Sequence, residues 1–253
     1  MEREKIKHLL DRRTIRSYTN QDISQEKLDL ILEAGIRSSN TGNMQTYSII
    51  ITRDNEMKKA MAPMHFGQKM TTEAPVIITI CADLNRFHKW CKQRGAKVEY
   101  DNFLWFNTAT IDAAILSQAI STAAEELGLG ICYLGTVTYN AKEIAELLEL
   151  PKHVVPIACL SLGYPDENPP LTERLPLEAV VHNEKYKDYS EEDIDRLYAE
   201  LEALPQSKKF CEENDKETLA KVFTEVRYKG EDGRHFSRKY YEFMNEAGFM
   251  RNE

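Results

Sequence analysis

Long apolar runs are missing from this sequence. Its strongest apolar stretch, Val76-Ile77-Ile78-Thr79-Ile80-Cys81-Ala82, falls far short of the roughly 20 residues that a bilayer-spanning helix needs. The opening Met1-Glu2-Arg3-Glu4-Lys5 is charged and leads into no apolar h-region, so no secretory signal is expected. Positive charge is scarce as well. The 33 Lys and Arg are outnumbered by 41 Asp and Glu, for a net charge of −8, which disfavours a generic nucleic-acid binder. The cysteines are five, an odd number, and none forms a C-x-x-C pair, which argues against a disulfide framework. Cys81, Cys132 and Cys159 lie in apolar, strand-like runs and read as small hydrophobes in a reducing, cytoplasmic compartment. The six histidines are scattered without a compact ligand spacing, so no metal site is expected. Neither G-x-S-x-G nor a phosphate-binding G-x-x-x-x-G-K-[ST] occurs, which removes the commonest hydrolase and nucleotidase signatures.

What remains is an ordinary globular mixture, 42% hydrophobic and 29% charged over 253 residues. Ser24 predicts an N-cap for an amphipathic helix to about Arg37. Tyr47–Thr52 reads as a strand, and Asp54 as the cap of a short helix that Pro63 ends or interrupts. A buried strand is expected at Ala74–Ala82. From about Asn102 to Leu127 there is no Pro or Gly, and apolar residues occur on every side. Such a helix should be buried all round, continuing from the core into a subunit interface. Gly128-Leu129-Gly130 follows that helix and lacks a third glycine, so it reads as a helix stop and not as a dinucleotide fingerprint. Strands at Ile131–Leu134 and Val154–Leu162 flank a helix at Ala141–Leu150 capped by Asn140. The segment 206–216 reads as an acidic, linker-like stretch between helical patterns at 190–203 and 216–248. Alternating strands and helices predict an α+β, layered core. We expect a single domain, 1–253, with 183–253 a helical C-terminal extension.

Two segments carry chemistry. Residues 1–20 hold six cations against three anions, concentrated in Arg12-Arg13-Thr14-Ile15-Arg16. Guanidiniums and a hydroxyl so close together suit a phosphate, although a solvated basic loop would look the same. Ser38-Ser39-Asn40-Thr41-Gly42-Asn43-Met44-Gln45 offers amides and hydroxyls that both donate and accept, as a flat heterocycle requires. A polar helix-to-strand loop with Gly42 at positive φ is the plainer alternative.

Taken in order, these segments resemble the nitroreductase family of flavoproteins. The likeness rests on Arg13-Thr14-Ile15-Arg16, Ser39 to Gln45, Glu126-Leu127-Gly128-Leu129-Gly130, Leu150-Pro151 and Leu162-Gly163-Tyr164-Pro165. It ends on Asn168-Pro169-Pro170-Leu171-Thr172-Glu173-Arg174-Leu175-Pro176, which is similar to the larger, NADPH-preferring flavin reductase and oxygen-insensitive nitroreductase branch. It covers about residues 8–182.

The resemblance implies a central, mostly antiparallel sheet flanked by helices in an intertwined homodimer, with FMN bound non-covalently between subunits. Arg12, Arg13, Thr14 and Arg16 match the first flavin-binding segment, whose outer members contact the phosphate. Arg16 would lie by the N1–C2=O edge, where a cation stabilises the charge of reduced flavin. Asn40 falls where relatives carry serine, and Asn43 and Gln45 match an N-x-Q. Gln68 matches a flavin-binding glutamine. Tyr133, Leu134, Gly135 and Thr136 match the loop beside N5, and Arg174 a cation over the phosphate. Two departures stand out: Thr136 replaces the second glycine of a Gly-Gly pair, and Thr172-Glu173 replaces Lys-Pro. The NADPH-selecting arginines of the branch do not align, and Lys208 and Lys209, with Arg227 or Arg234 behind them, are the substitutes considered.

The implied activity is NAD(P)H oxidation coupled to reduction of nitroaromatics, quinones or flavins by ping-pong hydride transfer, with no catalytic side chain. Other FMN chemistry on the same fold, such as dehalogenation or heterocycle oxidation, and a non-catalytic flavin-binding role are the alternatives. A membrane or nucleic-acid partner is not expected.

Overall fold

A computed structural model describes residues 2–251. Contacts divide the chain into two compact units, one formed by 1–170 with 236–253 and the other by 171–235. Among the described residues no helix is long and apolar enough to cross a membrane.

The larger unit is built on a four-stranded, wholly antiparallel sheet: β1 Tyr47–Thr52, β2 Val76–Asp83, β3 Gly130–Tyr133 and β4 Val154–Gly163, in the spatial order β1-β2-β4-β3. Every residue of β2 is buried, as a central strand covered on both faces requires. Its side chains alternate between two cores. Val76, Ile78 and Ile80 pack with Leu28, Ile31, Leu116 and Ile120, while Ile77 packs with Met61, Met70, Ile144 and Cys159. The first core is covered by α1 Gln25–Ile36 and α4 Phe103–Glu126. These helices approach closely at Gly35, where a Cβ would stand 2.4 Å from Ile120 Cγ1. Between them in sequence lie α2 Asn55–Met61 and α3 Asn85–Gln93, and α5 Ala141–Leu147 follows β3.

Local chemistry sets these boundaries. Ser24 accepts from the Lys27 N–H, Asp54 from Met57 and Asn102 from Trp105, each satisfying a free helix donor. Gly128, at φ +80°, ends α4 with backbone bonds from Gly128 to Glu125 and from Leu129 to Ala124. Asn140 does not cap α5. Its side-chain amide instead donates to the Met64 carbonyl at 2.7 Å.

Helix α4 is buried on one side only. Leu116, Ile120 and Ala124 are in the core, whereas Phe103, Leu104, Ile111 and Ile115 are 41–68% exposed in the single chain. The expectation is a helix buried all round that continues into a subunit interface, and in the single chain this stripe is open.

In the smaller unit Ser190 and Asp193 form a capping box that starts α6 Glu191–Ala203. The expected linker is partly helix α7 Pro205–Glu213, with Pro205 in the first turn, where proline costs no hydrogen bond. A turn at Leu219–Lys221 runs into a π-helical segment, Val222–Arg227; α8 Gly230–Glu246 follows, its residues from 236 on belonging to the larger unit.

Candidate functional site

The arginine segment is fixed by its one buried member. Ile15 is buried, Arg12, Arg13 and Thr14 are half-buried, and Arg16 is exposed. The Ile15 N–H donates to the Ile131 carbonyl of β3 at 2.9 Å, and Thr19 donates to Tyr164 at 2.9 Å. Tyr18 pins the segment from the other side: its hydroxyl donates to the Ile15 carbonyl at 2.8 Å and meets Ser161 Oγ at 2.8 Å. The absence of side chains at two glycines makes this approach possible. A Cβ on Gly130 would stand 2.6 Å from Ile15 Cβ, and one on Gly163 would stand 2.6 Å from Tyr18 Cδ1. Gly130→Ala should therefore cost about 1–3 kcal/mol through overpacking, read as a lower denaturant midpoint, and should displace Thr14 and Arg16 with Ile15.

The charges of this segment are incompletely answered. Glu167 Oε1 accepts the backbone N–H of Arg16 and, at 3.0 Å, that of Ser17. Arg13 Nη1 donates to the Asp11 carbonyl at 2.9 Å. Yet the Nε atoms of Arg12 and Arg13 are buried and make no hydrogen bond among the described residues. Arg12 Nε lies 3.2 Å from Glu125 Oε1, an ion pair by distance that is not aligned as a hydrogen bond. Burial pushes the Glu125 carboxyl up, and Arg12 and then His8 pull it back. The Cys132 thiol is likewise pushed up by burial, with Arg16 and Arg12 opposing, so both cations reach β3 electrostatically. A buried Arg13 donor without an acceptor among the described residues, next to an Arg12 donor met only by an unaligned carboxylate, fits an anion such as a phosphate.

The polar loop hangs on a residue that sequence reasoning missed. Asp112, buried in the middle of α4, accepts the Thr41 N–H at 2.9 Å and the Thr41 hydroxyl at 3.0 Å through Oδ1. Its Oδ2 accepts the Thr46 hydroxyl at 2.7 Å. Asn40 Oδ1 accepts from the Gln45 N–H at 3.1 Å, Gln45 Nε2 donates to the Asn43 carbonyl at 3.3 Å, and Arg86 donates to the Gln45 carbonyl. These bonds hold Gly42, Asn43 and Gln45 at φ +56°, +54° and +52°. For Gln45 this is a sparsely populated conformation of the kind that functional loops carry. Ser38 Oγ, in the same loop, is buried without a hydrogen bond among the described residues. The available signal for Asp112 was that it is the one charged residue between Phe103 and Ala124.

The third group lies on β3 and the turn after it. The Tyr133 hydroxyl meets Ser117 Oγ at 2.7 Å and accepts from Ser121 Oγ at 3.1 Å, both on α4. Leu134 is buried, its N–H donating to Cys159 at 2.8 Å. A Cβ on Gly135 would meet nothing within 4 Å. Thr136 is buried and its hydroxyl is 2.8 Å from His65 Nδ1. Gln68 is exposed, its N–H donating to the His65 carbonyl at 3.1 Å. His65 is fully buried, and burial pushes its pKa down to about 4.

The single chain thus brings Arg12 and Arg16 near Cys132 of β3, and ties Gln68 and Thr136 to the same residue, His65. Asn40, Asn43 and Gln45 lie in the loop that Asp112 of α4 holds through Thr41 and Thr46. Arg174 belongs to the smaller unit, where it is exposed and donates to the carbonyls of Thr172 and Glu173 at 3.3 and 3.4 Å. Of the residues considered for NADPH, Lys209 pairs with Glu213 at 3.6 Å and Arg227 stacks 4.3 Å over the Phe210 ring.

The sequence model of the nitroreductase family matches residues 9–69 and 62–164. An FMN reductase [NAD(P)H] from Bacillus subtilis (strain 168) is 40% identical over 190 residues, 74% of this chain and 76% of the relative. An oxygen-insensitive NADPH nitroreductase from Salmonella typhimurium (strain LT2) is 35% identical over 196 residues, 78% of this chain and 80% of the relative. A crystal structure from Bacteroides fragilis NCTC 9343 superposes with a TM-score of 0.96 at 47% identity, covering 97% of this chain and all of that one.

Proposed function

The chain belongs to the nitroreductase family, and from that membership we propose that it is an FMN-dependent NAD(P)H oxidoreductase reducing flat, electron-poor acceptors: nitroaromatics, quinones and free flavins. What carries the reading is the buried Nε of Arg13, which has no acceptor among the described residues, beside Arg12, whose buried Nε is met only by the unaligned carboxylate of Glu125. Both arginines lie in the segment that resembles the family's phosphate-binding arginines. FMN, when bound, supplies the hydride chemistry. The protein's part is placement. Arg12, Arg13 and Thr14 hold the phosphate, and Arg16 sets a positive charge beside the ring. Asn40, Asn43 and Gln45 offer amide donors and acceptors to the ring's polar edge. Gln68 and the Tyr133–Thr136 loop line the remainder, with Arg174 as a further phosphate cation. No side chain is assigned a proton-transfer role.

A homodimer is part of the proposal. Asp112 and Glu125 anchor the polar loop and Arg12 respectively, and they stand about 20 Å apart along α4 and about 140° apart around it. One chain therefore presents the two segments in different directions, and a shared cofactor calls for a second copy. The exposed Phe103, Leu104, Ile111 and Ile115 of the same helix supply an apolar stripe for that contact. The five free cysteines agree with a reducing, cytoplasmic setting. Residues 1–253 are read as one functional domain.

Initial rates with NADPH and a quinone varied together test the activity. Parallel double-reciprocal lines are expected for two half-reactions sharing one site. Flavin that stays oxidised with NADPH and NADH alike would favour the binding-only or substrate-oxidising alternatives.

A further inference from the structure

Thr136 stands where the resembling family has glycine, and a side chain there should crowd the flavin. It does not point that way here. Thr136 is buried, and its hydroxyl lies 2.8 Å from Nδ1 of the fully buried His65. Position 135, its neighbour, remains open, since a Cβ there would meet no atom within 4 Å. His65 also reaches the other candidate segment. Its carbonyl accepts the Gln68 N–H at 3.1 Å, across a turn in which Phe66 and Gly67 both have positive φ, +54° and +68°. A second bond ties the same two segments, from Asn140 Nδ2 to the Met64 carbonyl at 2.7 Å. The remaining ring nitrogen, His65 Nε2, is buried with no partner among the described residues. An unpaired polar atom is costly to bury, so a histidine kept in this position for packing alone is a poor choice beside leucine or methionine.

We propose that His65 is the positioning residue of the flavin site: its ring draws the Thr136 side chain into the core while its carbonyl orients Gln68, so that the 135–136 backbone and Gln68 are set as one rigid unit. The inference rests on the FMN reading given above. It makes Thr136 and His65 a matched pair, in which the hydroxyl is accommodated because a ring nitrogen receives it below the surface. Without that bond the Thr136 side chain is free to rotate toward the open side of Gly135 and obstruct the ring.

The test uses the full-length protein loaded with FMN. Thr136→Val removes the hydroxyl and keeps the shape, Thr136→Ser keeps the hydroxyl, and His65→Leu removes the ring nitrogens. Thr136→Val and His65→Leu should each weaken FMN binding about tenfold, the loss of one buried hydrogen bond's worth of positioning. Both should alter the visible circular dichroism of bound flavin, a signal that fold stability alone does not move. Thr136→Ser should restore both properties. The double variant should be no worse than either single one, because the two residues act through one contact. Wild-type uptake of FMN with unchanged affinity and dichroism in both single variants overturns this inference alone. A wild-type protein that takes up no FMN overturns the functional reading and this inference with it.

Discussion

Replacing Asp112 by alanine is expected to lower stability by about 3 kcal/mol and the melting temperature by about 10 °C. Among the described residues the carboxylate alone accepts from the Thr41 N–H, the Thr41 hydroxyl and the Thr46 hydroxyl. Thr46 is wholly buried, so its donor has no water to turn to once the acceptor is gone. Bonds to an ionised group are also stronger than neutral ones. The loss is concentrated where the loop adopts three positive φ angles in four residues, a geometry that persists only while its surroundings enforce it. FMN affinity should therefore fall by more than about tenfold at temperatures where the variant is still folded. Asp112→Asn keeps an acceptor oxygen and should lose less than half as much. Thermal melts and flavin titrations of the two variants check this. Equal losses for both would contradict it.

Acid should destabilise the protein well before its ordinary carboxylates titrate. Burial alone pushes His65 down to about 4, with no charged neighbour contributing. An unfolded histidine titrates near 6.5. The unfolded chain thus binds a proton that the folded chain refuses. The contribution of the neutral ring is fully present above about pH 6.5 and is lost as pH falls toward 4. Between pH 7.5 and pH 5 this amounts to about 2 kcal/mol. His88 and His153, in edge-to-face contact with ring centres 4.6 Å apart, are also pushed down, burial being the first cause in both. They add to the loss in the same direction. Urea midpoints at the two pH values should differ accordingly in the wild type, and His65→Asn should flatten the dependence by about 2 kcal/mol. A variant with the wild-type slope would show that His65 is not held neutral.

Elements whose limits are written in short-range chemistry were legible in the sequence. The β-branched Tyr47–Thr52 is strand from end to end, and helix 25–36 starts at Ser24 and stops at Arg37. The long helix runs between Asn102 and Leu127, as the gap in Pro and Gly indicated. Helix Asn85–Gln93 passed unnoticed because its apolar residues are few and its polar ones many. Helix Pro205–Glu213 was hidden because a proline and dense charge resemble a linker, although proline in a first turn favours a helix. Asn140 has the chemistry of a cap, but the Met64 carbonyl, distant in sequence, claims its side chain.

The candidate site divides along the same line. The arginine and amide segments announce themselves by composition within a few residues. Asp112 and His65 act on partners 71 residues away, Thr41 and Thr136 respectively. Asp112 shows only as a lone charge in an apolar helix, and nothing local distinguishes a histidine after Pro63, until the fold brings those hydroxyls to them. The resemblance marks Thr136 as a departure that keeps the backbone farther from the flavin. The burial of Thr136 against His65 is a tertiary fact.

The most direct measurement is the absorbance spectrum of the purified protein, taken without air before and after NADPH is added. The account predicts flavin bands near roughly 370 and 450 nm that bleach on addition. A colourless protein that takes up no added FMN would contradict it.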